Sequence, residues 1–389
     1  MSDSVLSKTP TTTPSGSALP QKKGRLEWLD AMRGFTMLLV VSYHVAQMCF
    51  GINLKTSSSM PLLVLFRMPL FFFVSGFLAY KAGMLWTPGR LGMMVWKKFK
   101  IQVLPTVVFL CFFIVVRLPH FWAGLKGALL SPTKYGYWFT WALLIMFVVY
   151  YLMAFVEQRI ACSGRMRSEQ PRSAAPVEAE APHAPWVIIT LWVVSLGVYE
   201  TAYLPKVFTY PKNPWLNYLS LIEVIYFFHF FLFGNLVHRY WTRVERLFDS
   251  RWFFPVVVLV AFVCGAEALK WHTLHLAWAN LPRTVGMYSL MLIVIMTFRY
   301  YRDNFSRQTR AGRLLQFIGT RTLDIYLLHF ILMPRMPFLG PWFDAHGHNF
   351  VLEQVATLFV AAFVVAFCCL ASSVLRVSPL LRKYLFGRK

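Results

Sequence analysis

The chain has 389 residues, of which 57% are hydrophobic, 17% aromatic and only 14% charged. A soluble protein of this length carries nearer a quarter charged residues, so the composition, with a mean hydropathy of +0.53, describes a polytopic membrane protein. The formal net charge of +23 does not signal nucleic-acid binding, because the cations sit in short runs between apolar spans, as the positive-inside rule expects.

Residues 1–24 are rich in Ser, Thr, Pro and Lys and nearly free of large apolar side chains, which predicts a disordered tail. Ten apolar runs of bilayer length follow, at residues 29–50, 61–80, 101–118, 138–156, 185–203, 215–237, 252–270, 282–299, 314–333 and 350–375. Residues 157–185 mix Arg, Glu, Ala and Pro and are expected to be a flexible linker. Residues 377–389 make a short basic tail. The predicted fold is an all-α bundle of about ten transmembrane helices. Lys and Arg concentrate in alternate segments: the N-terminal tail, 81–100, 159–172, 239–251, 299–313 and 376–389 carry roughly three times as many as the loops between them. That alternation requires an even number of spans and predicts that both termini are cytoplasmic.

The first span, within RLEWLDAMRGFTMLLVVSYHVAQMCF, carries Asp30, Arg33 and His44. Ionisable side chains at membrane depth are costly and are functional candidates by default. Arg33 and His44 are eleven residues apart, three helical turns with only ~20° of residual rotation and roughly 16 Å of rise. Both therefore project from one face, with Asp30 on nearly the same stripe. A guanidinium near one surface suits an anionic group, and an imidazole deeper in suits proton chemistry.

The second span holds Arg67, expected at a depth similar to His44, and the pair Ser75–Gly76, which inside a span reads as close helix packing rather than a nucleophile. The cluster WKKFK supplies Lys97, Lys98 and Lys100 just before the third span. Glu223 and His229 in the sixth span read as hydrogen-bonded packing. In the ninth, Arg321 and Asp324 are three apart and can pair on one face, with Tyr326 and His329 on a neighbouring stripe. His329 is expected at the depth of His44. The six cysteines have neither metal nor redox spacing and read as small buried residues. His272 with His275, and Asp344 with His346 and His348, lie in expected loops without a well-placed third or fourth ligand, and no metal is assigned.

Three blocks carry a resemblance: RLEWLDAMRG with Arg33, ten intervening residues and His44; FRMPLFFFVSGFLAYKAG at 66–83; and FIGTRTLDIYLLHFILMP at 317–334. In this order they resemble the membrane acyltransferase 3 family, over a domain spanning 25–376. The second block looks closest to glycan-modifying members, including the glucans biosynthesis protein C-like branch, which uses succinyl groups. The resemblance implies an integral O-acyltransferase of the bacterial inner membrane, with no permanently bound cofactor. It would pass a short acyl group, acetyl or alternatively succinyl, from acetyl-CoA or succinyl-CoA as co-substrate. The acceptor would be a hydroxyl of a cell-envelope glycan or lipid-linked sugar. It makes His44 the base, with Arg33 and Asp30 beside it in the catalytic set. Arg33, Lys97, Lys98 and Lys100 would face the donor phosphates, although the family often has arginines where these lysines stand. Arg67, Ser75, Asp324, Tyr326 and His329 would line the substrate side. The rival reading is a secondary transporter of a lipid-linked sugar or organic anion, which would suit buried Arg, Asp and His. The paired, broken helices of such folds are not evident in the chain.

Overall fold

The computed structural model describes residues 26–168, 184–203, 214–269 and 281–378. The expected N-terminal tail, most of the expected linker, His272, His275 and nearly all of the basic C-terminal tail lie outside these residues. Among the described residues the regular elements are helical and no strand occurs.

Helix α1 spans Glu27–His44 and runs on as a π-helical turn, Val45–Cys49. Helix α2 is Met60–Ala79. Helix α3, Pro88–Lys98, passes through a π-helical turn, Phe99–Val103, into α4, Leu104–Arg117. A short α5, Phe121–Leu130, precedes α6, Phe139–Ser168. Then come α7, Trp186–Val198, the single-turn α8, Pro214–Tyr218, α9, Leu221–Arg239, and α10, Trp241–Phe248. The chain continues with α11, Phe253–Leu269, α12, Leu281–Tyr300, α13, Arg310–Thr320, and α14, Thr322–Leu332. It closes with the short α15, Leu339–Ala345, and α16, Phe350–Leu375.

Each predicted apolar run coincides with one or more of these helices. Six stretches are long and apolar enough to cross a bilayer: Met60–Ala79, Pro88–Arg117, Phe139–Ser163, Leu221–Arg239, Leu281–Tyr300 and Phe350–Leu375. The pair α10–α11, bent by 83°, makes a seventh if counted as one. Helices α7 and α14 are apolar but shorter. Helix α1 falls outside the set because its polar side chains lower its hydropathy, yet it is the hub of the bundle. It packs against α2, α12, α13, α14 and α16.

Three boundaries differ from expectation. The third run is preceded by helix rather than loop: Thr87 caps α3 by accepting from Arg90 N–H, and Pro88 sits at its first turn. The expected linker begins later, because α6 continues to Ser168. There Glu157 is buried and bonded through both oxygens to the Arg239 guanidinium, the second bond at 3.0 Å. The ninth run is broken, with Arg321 between α13 and α14 at φ −109°, ψ 13°.

Two glycine seams set the helix spacing. A Cβ on Gly34 of α1 would lie 2.0 Å from the Leu315 carbonyl oxygen of α13, and one on Gly319 would lie 1.8 Å from that of Asp30. The α2–α9 crossing repeats this: a Cβ on Gly76 would lie 1.7 Å from the Phe231 carbonyl oxygen, and one on Gly234 would lie 2.0 Å from that of Phe73. Small residues permit such backbone contact in a medium that supplies no hydrophobic drive between helices. Ser75 is turned back on its own helix, donating to the Phe71 carbonyl at 2.8 Å. At the far end of α1, Met336 N–H donates to the Cys49 carbonyl at 2.9 Å. Arg117 donates to the carbonyls of Ile331 at 2.9 Å and Met333 at 3.0 Å, closing the end of α14. Outward faces are apolar, as on α16, where Phe359, Phe363 and Phe367 are each more than 60% exposed and suit lipid contact.

Gly76→Val must push α2 off α9, at a cost of about 1–3 kcal/mol or more. Gly89→Val, where a Cβ meets nothing within 4 Å, serves as the matched control. Thermal melting in detergent should show a clear drop for the first and little change for the second.

Candidate functional site

Between α1, α2, the α3–α4 helix, α6 and α14 lies a cavity of about 710 Å³. Arg33, Lys98 and Thr322 line one end, and three turns further along α1 it is lined by His44, together with Tyr135 and Phe330. The shared stripe expected of Arg33 and His44 is therefore the cavity wall.

Arg33 is anchored rather than loose. Its Nη2 donates to Thr322 Oγ1 at 3.0 Å, and its Nη1 lies 3.5 Å from Asp30 Oδ1. Asp30 itself is buried behind the wall and is not part of the lining. It lies against the guanidinium of Arg33, which keeps 28% of its side chain exposed. Of the three lysines, only Lys98 lines the cavity, with Nζ 3.7 Å over the Phe147 ring. Lys97 and Lys100 do not; Lys100 lies over Trp96 instead. On a continuous helix neighbours are about 100° apart, so these three lysines cannot share one face.

At the other end His44 is half-buried and open to the cavity. Its Nδ1 is 3.1 Å from Nε2 of His329, which is fully buried on α14. The two histidines are thus at one depth, as their positions implied, but His329 stands behind His44 rather than on the cavity wall. Arg67 does line the cavity, with its guanidinium carbon 3.7 Å over the Tyr43 ring and its Nε without a hydrogen-bond partner. Ser75 and Tyr326 also line it, and the Tyr326 hydroxyl donates to the Gly136 carbonyl at 3.1 Å.

The expected pairing of Asp324 with Arg321 is a correction. Asp324 is buried away from the cavity, accepting from Arg376 Nη2 at 2.6 Å and from Ser372 Oγ at 2.7 Å. Arg321, its expected partner, lies over the Phe317 ring at 3.8 Å. The break between α13 and α14 takes Arg321 out of the α14 register, and α16 supplies the cation instead. His229 packs as expected, bonded to Tyr288 Oη at 2.7 Å. His348 is held in place, bridging Asp344 at 2.7 Å and buried Glu353 at 3.1 Å. Burial alone would lower its pKa, but its hydrogen bonds to the two carboxylates, Asp344 and Glu353, outweigh that and raise it. Among the described residues no group of three His, Cys, Asp or Glu is placed to hold a metal ion.

The segment 133–136 is a wall that sequence reasoning did not find. Lys134 and Tyr135 adopt φ of 47° and 54°, and Gly136 has φ +98°. This turn delivers Tyr135 and Gly136 to the cavity. A Cβ on Gly136 would lie 2.1 Å from the Phe330 ring, so glycine is required by both conformation and space.

A family model described as an acyltransferase domain, Acyl_transf_3, matches residues 26–373. The chain belongs to the acyltransferase 3 family. No match was found among curated proteins or solved structures. As a member of that family the protein is a membrane acyltransferase, and the transporter reading falls away. The match covers nearly every described residue, so cavity, glycine seams and both histidines all lie inside the acyltransferase 3 domain.

Because Asp324 is buried against Arg376, Arg376→Ala should destabilise the protein by about 3 kcal/mol by stranding a buried carboxylate. The double variant Asp324→Asn with Arg376→Gln should recover most of the loss in thermal melting. A lone Asp324→Asn that left stability intact but raised KM for a substrate would return Asp324 to the cavity wall.

Proposed function

We propose that the protein transfers a short acyl group from acyl-CoA to a hydroxyl of a cell-envelope glycan or lipid-linked sugar, from a position in the bacterial inner membrane with both termini cytoplasmic. The observation that carries this reading is the single cavity joining Arg33 and Lys98 at one end to His44 at the other. The anchored guanidinium offers a fork of donors to phosphate oxygens, and Lys98 adds a point charge. About 16 Å further along α1, His44 stands where the thioester end of an extended pantetheine arm would reach.

The chemistry then needs four moves. The acceptor hydroxyl oxygen attacks the thioester carbonyl while His44 takes its proton. Negative charge builds on the carbonyl oxygen, and Arg67, the cation beside His44 in the cavity, is suited to oppose it. The carbon–sulfur bond breaks, and the coenzyme A thiolate leaves. His44 returns the proton to that sulfur, which restores the neutral ring. Aromatic side chains at the His44 end, Phe113, Phe139 and Phe330 among them, favour a small acyl group, acetyl most simply. Succinyl is the alternative, consistent with the likeness of residues 66–83 to the glucan-modifying branch.

Purified protein given acetyl-CoA or succinyl-CoA and an envelope-glycan fragment should release free thiol and acylated glycan. His44→Gln should lower transfer on the order of 10²–10⁴-fold, the range for losing a positioned acid–base group, while leaving acyl-CoA binding intact. Near wild-type transfer in that variant would make His44 structural.

Donor binding is tested separately. Arg33→Ala should weaken acyl-CoA binding roughly 10- to 100-fold, the worth of a charged hydrogen bond or two, with Arg33→Lys restoring only part. Lys98→Ala should weaken binding, whereas Lys97→Ala and Lys100→Ala should not. Equal losses across the three lysines in a binding titration would mean that a diffuse basic surface holds the donor.

A further inference from the structure

His44 has one neighbour whose hydrogen-bonding state can be worked out from the backbone. On α14, His329 Nδ1 lies 3.0 Å from the Ile325 carbonyl and 2.9 Å from the Tyr326 carbonyl. Carbonyl oxygens only accept, so Nδ1 of His329 carries a proton. A neutral imidazole has one N–H, which leaves Nε2 of His329 as a lone pair. A doubly protonated ring here would be a cation with no accessible surface and no carboxylate bonded to it among the described residues, an arrangement that a dry interior penalises heavily.

The partner of that lone pair is His44 Nδ1, 3.1 Å away. The two rings are within 20° of coplanar and their centroids are 5.2 Å apart, the disposition of an in-plane N–H···N bond rather than a face-to-face stack. His44 therefore donates through Nδ1. Its single proton is placed there, and its Nε2 is left bare.

We propose that His329 is the positioning residue of the site, using two α14 carbonyls to fix its own tautomer and so to fix His44 in the Nδ1–H form, with Nε2 as the basic atom. Free imidazole side chains prefer the opposite tautomer, with the proton on Nε2, which would leave the base facing the wrong way. His329 has a second effect once His44 takes a proton. The His44 Nδ1–H bond becomes charge-assisted, so the neutral ring behind holds the imidazolium without itself being charged. No bond to substrate is assigned to His329, which does not line the cavity. Outer partners of this kind fix ring orientation and tautomer elsewhere in protein chemistry.

The kinetic half of this proposal rests on His44 as the base; the tautomer half does not. The test uses purified full-length protein in nanodiscs with ¹⁵N-labelled histidine, His44 being assigned through the His44→Gln spectrum. Wild type should show His44 protonated at Nδ1 and bare at Nε2. His329→Leu should move the proton to Nε2 and lower kcat roughly 10- to 100-fold with KM for acyl-CoA little changed. His329→Gln, whose amide oxygen can accept from His44 Nδ1–H, should restore both the tautomer and most of kcat.

An Nε2-protonated His44 in wild type overturns the proposal whether or not the variants fold. So does a His329→Leu protein with unchanged tautomer or undiminished kcat. Should His44→Gln retain full transfer, the assignment of the base falls instead, while the spectrum still decides whether His329 sets the tautomer.

Discussion

A helix that carries Asp30, Arg33 and His44 through hydrocarbon cannot face lipid. That constraint organises the molecule. Helix α1 is wrapped by α2, α12, α13, α14 and α16, and its polar groups look inward to a cavity or to neighbouring helices. The wrapping must be tight, because unpaired charge near lipid is costly. The Gly34–Gly319 seam brings α1 and α13 to backbone contact, and the following helix, α14, is thereby carried alongside α1 with His329 at the level of His44. The α2–α9 seam does the same for the wall that holds Arg67. Packing and chemistry are one arrangement here: the glycines that let backbones touch also place the ionisable groups.

The cavity inherits two chemically different ends from the length of α1. One end has fixed donors, with Arg33 steadied by Thr322 and Asp30. The other has the His44 imidazole backed by that of His329. In the proposed function, a separation of three helical turns would let a long, flexible donor be gripped at its charged end while its reactive end lies elsewhere.

Much of this was legible from the chain. Apolar runs of bilayer length are visible because a spanning helix must satisfy its backbone internally and offer lipid an apolar surface. The Arg33–His44 relation was legible because helical rotation accumulates little error over three turns. The choice of Lys98 over Lys97 and Lys100 was not, because it depends on how the α3–α4 helix is rotated against α6. The partner of Asp324 was hidden for another reason: it lies 52 residues away on α16, and a local break at Arg321 cancelled the i, i+3 pairing that spacing suggested. The turn at 133–136 had no signal in charge or periodicity. Its role follows from left-handed backbone at two non-glycine residues, which composition does not announce.

The ends of α1 and α14 beyond the two histidines are tied together. Met336 N–H is bonded to the Cys49 carbonyl, and Arg117 holds the last carbonyls of α14. Separating the imidazoles would strain the Met336–Cys49 backbone bond and the Arg117 contacts that hold the end of α14. The pair is therefore set in the folded chain before any substrate arrives, and in the proposed function the reorganisation that a solvent-exposed base undergoes at each encounter would already be complete. For the flexible substrates of the proposed function, their own ordering rather than the protein's would then be the main entropic loss.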